Sequence, residues 1–97
     1  MSRVRLSPRA VTDLDEIGDY IAKDNPLRAP TFVDELEAAC FRIAENPRAY
    51  PLRSDLASDL RMAVHTNYLI FFRILPNEIR IERILHGARN LPRLWQS

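Results

Sequence analysis

Residues 60–89, LRMAVHTNYLIFFRILPNEIRIERILHGAR, hold the chain's densest strand-like pattern. Tyr68 to Leu75 is aromatic and β-branched, Pro76-Asn77 follows as a short polar turn, and Ile79 to Leu85 is a second apolar run. That succession predicts two antiparallel strands joined by a tight turn. Upstream, Leu60, Met62 and Val64 alternate with Arg61, Ala63 and His65 before a turn at Thr66-Asn67, which adds a third strand and makes a meander. The middle strand is apolar on both sides, Tyr68, Ile70, Phe72 and Ile74 alternating with Leu69, Phe71 and Leu75. The chain's own helices are expected to cover one face of it, which leaves the other to meet a second chain.

Outward from this stretch, Ser2 to Leu6 alternates around Val4 and Leu6 and reads as a short first strand. Ser7-Pro8 is a helix start, with a hydroxyl to cap free N–H groups and a proline at the first helical position. Ala10, Leu14, Ile17 and Ile21 then recur at helical spacing while Asp13, Asp15, Glu16 and Asp19 fall outside that stripe, predicting an amphipathic helix over Pro8 to Lys23. Asp24-Asn25-Pro26 opens a second helix after a minimal connection, which makes an antiparallel helical hairpin. Pro30 argues for a distorted first turn or for regular helix only from Ala29. Phe32, Leu36, Cys40 and Ile43 form its buried stripe, with Cys40 as a small core residue, and Asn46-Pro47 ends it.

Residues 48–59 show no period and read as a surface loop. After Arg89 the tail NLPRLWQS carries Leu91, Leu94 and Trp95, which either fold back or await a partner. The expectation is one domain over residues 1–97, of class α+β and order β-α-α-β-β-β: a small antiparallel sheet with a two-helix hairpin packed on one face.

Composition bounds the function. A chain of 97 residues with 46% hydrophobic and 28% charged content suits one globular domain, and its longest apolar run, Tyr68 to Phe72, is far short of the ~20 residues of a membrane helix. The opening MSRVRLSPRA lacks the apolar segment of a secretory signal and Cys40 has no second cysteine, so a cytoplasmic protein is expected, with no membrane partner. Residues 1–47 carry six cations against nine carboxylates, and residues 48–97 carry eight against four, so the net charge of +1 hides a basic C-terminal half. Thirteen of the fourteen cations are arginine, whose planar fork suits carboxylate or phosphate. No Gly-rich phosphate loop, Cys/His metal spacing or Ser/His/Asp arrangement is present, so neither cofactor nor metal is implied.

The order of elements, with Leu14, Ile17 and Tyr20-Ile21 in the first helix, Asn25-Pro26 between helices, Leu60-Arg61, Tyr68 to Arg73, and Ile84-Leu85-His86-Gly87-Ala88-Arg89-Asn90, resembles the RelE/ParE superfamily of toxins from type II toxin–antitoxin modules. The ending His-Gly-Ala-Arg-Asn looks like that of the ParE branch. This resemblance implies one of two activities, ribosome-dependent cleavage of messenger RNA or poisoning of DNA gyrase, between which the shared fold does not decide. Ribonuclease members commonly carry Tyr-Arg-Leu-Val-Tyr where this chain has Tyr68-Leu69-Ile70-Phe71-Phe72, so Leu69 replaces their arginine. Ribonuclease members also tend to use lysines on the preceding strand, where Arg61, Ala63 and His65 stand here.

The expected function is therefore a ParE-like toxin that binds gyrase and is not itself an enzyme, with a RelE-like endoribonuclease as the alternative and a non-toxic antitoxin-binding module as a third. Phosphodiester cleavage would need acid, base and a cation, for which His86, Arg61 and Arg89 are the candidates. Arg61, Arg89, Arg93, Leu94 and Trp95 are the expected target-binding residues. Leu69, Phe71, Arg73 and Arg83 are expected to meet a ParD-like antitoxin through an acidic, apolar-studded segment that orders on binding. The resemblance implies that this partner binds DNA through a domain of its own, so direct nucleic-acid binding by the toxin alone is not expected.

Overall fold

The structure is a computed structural model that describes residues 3–89 and 91–96, with Leu94 and Gln96 described by their helical backbone alone. Strand β1 (Arg3–Leu6) leads into helix α1 (Pro8–Asp24) and helix α2 (Arg28–Arg42). Two short 3-10 turns follow, then β2 (Arg61–His65), β3 (Tyr68–Ile74), β4 (Glu78–His86) and α3 (Leu91–Gln96). The Ser7 hydroxyl caps α1 by accepting from the Ala10 N–H at 3.1 Å. Ahead of α2, the Asn25 side-chain oxygen accepts from the Arg28 N–H at 3.1 Å, satisfying a free donor at the helix start. Starting at Arg28 places Pro30 within the first turn, where a missing N–H breaks no helical bond.

The sheet has the order β1-β4-β3-β2. Its β2–β3 and β3–β4 pairs are antiparallel, as the meander requires, but β1 runs parallel to β4, with Arg3, Val4, Arg5 and Leu6 beside Glu78, Ile79, Arg80 and Ile81. The sheet is thus mixed, not wholly antiparallel. The helical hairpin supplies the crossover that a parallel pair needs. The β2–β3 turn holds Thr66 at φ 52°, a left-handed conformation unusual for a β-branched residue.

Two apolar clusters sandwich the sheet. On the helix side, Leu14, Ile17, Phe32, Leu36, Cys40 and Ile43 pack on Ile70, Phe72, Ile79, Ile81 and Ile84. On the other side, Leu60, Phe71, Leu85 and Leu91 are buried with Leu56, Met62, Leu69 and Trp95 around them. The expectation of an open second face is therefore corrected. Part of the 48–59 segment and α3 cover it, because the tail's apolar residues fold back onto the strand that exposed them.

Among the described residues no helix is long and apolar enough to cross a membrane.

Candidate functional site

At one end of the sheet the register lines up His65, Tyr68 and His86 across β2, β3 and β4. Tyr68 meets His86 edge-on at 5.2 Å between ring centroids, and Phe32 of α2 packs against both Tyr68 (5.6 Å) and His65 (5.8 Å). Tyr68 and His86 of this row line a cleft of about 540 Å³ between α1 and the end of β4, which Tyr20, 64% exposed, flanks from α1. Burial raises the Tyr68 phenol above its ordinary value, with a smaller contribution from Tyr20. Asp13, Glu16, Asp19 and Lys23 line the cleft from α1, and Arg89 lines it from beyond β4.

His86 and Arg89 thus share a site, but Arg61 does not join them. Arg61 sits opposite Phe72, whereas His86 sits opposite Tyr68, four residues away along β3 or about 13 Å at strand rise. Its guanidinium is engaged locally, donating to the carbonyls of Tyr50 at 2.7 Å and Arg48 at 3.3 Å. His86 is also constrained. Its Nδ1 accepts from the Ala88 N–H at 3.1 Å, so a neutral ring keeping that bond carries its proton on Nε2 and offers a donor where a general base needs a lone pair.

The remaining candidates divide between the second face and the sheet edge. Phe71 is 0% exposed and packs edge-on against Trp95 at 5.2 Å, with Leu69 half-buried beside it. As an accessible antitoxin contact Phe71 is corrected: in this chain it is core. Arg83 donates from Nε and Nη2 to Asp13 at 2.9 and 3.0 Å, not to a carboxylate across the hairpin. Arg73 bonds Glu82 and also donates to the Ser58 carbonyl at 3.2 Å. Arg93 is exposed on α3, and the Leu94 side chain lies outside the described residues.

Sequence reasoning missed two groupings. The aromatic row requires the strand register and the placement of α2, neither of which a local pattern reveals. The second is an arginine row, Arg5 beside Arg80 and Arg80 beside Arg73, on the face turned away from the helices. It follows from the parallel β1–β4 pairing of residues more than seventy positions apart.

A family profile described as the ParE toxin of the type II toxin–antitoxin system parDE matches residues 4–91. Toxin RelE2 of Caulobacter vibrioides is 36% identical over 91 residues, spanning 92% of this chain and 99% of its own. Toxin ParE1 of the same organism is 31% identical over 93 residues, with 93% and 94% covered. Among solved structures, the chromosomal ParDE system from P. aeruginosa superposes with a TM-score of 0.79 at 21% identity, covering 89% of this chain and 96% of that one. The RelBE2 toxin–antitoxin complex of Mycobacterium tuberculosis gives 0.66 at 22% identity, covering 88% and 96%.

Proposed function

The chain belongs to the ParE toxin family of type II toxin–antitoxin systems, and from that membership we propose that it inhibits growth by binding DNA gyrase while a ParD-like antitoxin holds it silent between uses. The separation of Arg61 from His86 and Arg89 carries this reading. Cleavage of RNA needs a cation beside the acid and base as charge develops on phosphate, and here Arg61 is turned to two backbone carbonyls. Leu69, standing where ribonuclease members have arginine, points the same way, as does the hydrogen bond that spends the His86 Nδ1 lone pair.

The ribonuclease reading keeps one observation in its favour, the meeting of His86, Arg89 and Tyr68 in one cleft. Purified toxin compared in a gyrase supercoiling assay and in ribosome-dependent cleavage of messenger RNA decides between them. Inhibited supercoiling with intact message is expected; cleaved message with unaffected supercoiling would reverse the assignment. Induced expression without antitoxin tests the third reading, since unimpaired growth would mean a binding module without toxicity.

An antitoxin partner fits the surface chemistry as well as the family. The C-terminal half has the excess of arginine that an acidic segment would pair with, and such pairing steers association more than it sets final affinity.

A further inference from the structure

Arg5, Arg80 and Arg73 stand side by side on three adjacent strands. Neighbouring strands are about 4.8 Å apart, and like charges directly opposite one another destabilise a sheet. Two carboxylates relieve the row: Arg5 donates to Glu78 from Nε and Nη2 at 3.0 and 2.8 Å, and both Arg73 and Arg80 bond Glu82. Two carboxylates do not neutralise three guanidiniums. Arg3, placed opposite Glu78, and Arg9, at the start of α1, are exposed and have no ion pair among the described residues, so this corner carries a net +3.

The same corner is a sheet edge. β1 pairs with β4 on one side only. The Ser7 N–H donates to the Ile81 carbonyl on β4, so by the alternation of backbone groups along a strand Arg3 and Arg5 direct theirs inward and Val4 directs its N–H and C=O outward. We propose that β1 receives a fifth strand from a partner: an extended protein segment with carboxylates at alternate positions. Its backbone would bond the outward groups of Val4. Its acids, about 6.8 Å apart on one face of a strand, repeat the spacing of Arg3 and Arg5 and fall directly across from them. A single-stranded nucleic acid fits less well, because sheets that bind one stack its bases on exposed aromatic rings; β1 and residues 78–82 carry none, and Trp95, which shares a cavity with Arg9 and Arg73, is packed on Phe71.

The inference rests on the antitoxin reading only for who supplies the segment. Strand addition itself is measured without antitoxin or gyrase, by fluorescence anisotropy of the full chain with three probes: a peptide alternating Glu and Val, a peptide of the same composition with its glutamates clustered, and a single-stranded oligonucleotide of equal charge. The alternating peptide should bind at least about tenfold more tightly than the clustered one, and Arg3→Gln/Arg5→Gln should weaken it by about tenfold or more, as expected for lost charge-assisted bonds. Val4→Pro removes an N–H the sheet does not use and should also abolish binding. Arg3→Gln alone breaks no described ion pair and should still weaken binding several-fold, so the test survives if Val4→Pro does not fold. Equal affinity for the two peptides, or full binding by folded Val4→Pro, would overturn strand addition. Tighter binding of the oligonucleotide would make the corner a nucleic-acid surface and overturn it too. A chain that takes the peptide yet leaves both growth and supercoiling untouched would keep this inference and lose the proposed function.

Discussion

Asp13 accepts three hydrogen bonds where β4 runs on past the end of β1: two from Arg83 and one, at 2.9 Å, from the backbone N–H of Ile84. It is only 5% exposed. The pairing shifts register between Phe71 and Phe72, so Glu82 and Arg83 together oppose one residue of β3. Asp13 takes the place of the missing strand there, which explains why a carboxylate off the apolar stripe of α1 is buried. Asp13→Ala should cost about 3 kcal/mol, because it leaves a buried N–H and a largely buried guanidinium unpaired. Denaturant unfolding measures this; a loss under about 1 kcal/mol would mean that water replaces the carboxylate. Cys40 makes a second prediction. Burial, with a smaller contribution from Glu37, pushes its thiol up to about 12. Alkylating reagents should therefore leave Cys40 untouched at pH 8 in the native chain and label it only on unfolding.

Helix α3 is short, but Leu91 is buried and Trp95 packs on Phe71, so the helix acts as a lid on the second cluster. Truncation after Arg89 should expose Phe71 and Leu85, lower the melting temperature by about 10 °C or more, and create binding of an apolar dye. An unchanged melting temperature would show that the segment contributes no packing. Toxicity read beside stability divides the two roles expected of the tail: a single Arg93→Gln on α3, compared with wild type once both are shown to be folded, should reduce target binding if the tail touches its target. The elements themselves were legible in the sequence, since the helix starts signalled by Ser7 and Asn25, the helical stripe of Leu14 and Ile17, and the alternation around Phe72 are local signals. What lies over Phe71 was not. A strand apolar on both faces says that both will be covered, and whether by this chain or another depends on where six distant residues settle.

For the whole molecule, surface ion pairs set the acid limit. Glu78 is held below the usual glutamate value by its hydrogen bonds from Arg5, Glu35 by those from Arg28, and Asp55 by those from Arg53. Each folded value lies below its unfolded one, so these pairs contribute fully above the unfolded carboxylate range and fade as pH falls through the lowered values. Melting temperature should stay level from neutral pH to about 5 and decline below about 4, with a shallower decline in high salt, because all three pairs face solvent. A decline beginning near pH 6 would show that groups other than these carboxylates set the limit. The functional surface was less legible than the fold. Arg61, Arg73 and Arg83 could be singled out as unexplained charge, and Glu82 was a legible partner for Arg73 across the hairpin, but the bond of Arg83 to Asp13 depends on the parallel pairing of the first strand with the last.

That pairing also governs when the protein can exist at all during its synthesis. Ribosomes make the chain from the N-terminus, and domains generally fold as units once their parts have emerged. β1 cannot join the sheet until Glu78 to Ile81 are available, and the bonds that Glu82 and Ile84 make to Ser7 and Asp13 of the α1 start come only then. A nascent chain halted before β4 has two helices and the β2–β3 hairpin but lacks the strand that joins β1 to that hairpin. Abortive translation should therefore release protease-sensitive, inactive fragments, and a cell making this toxin would meet it only as completed chains.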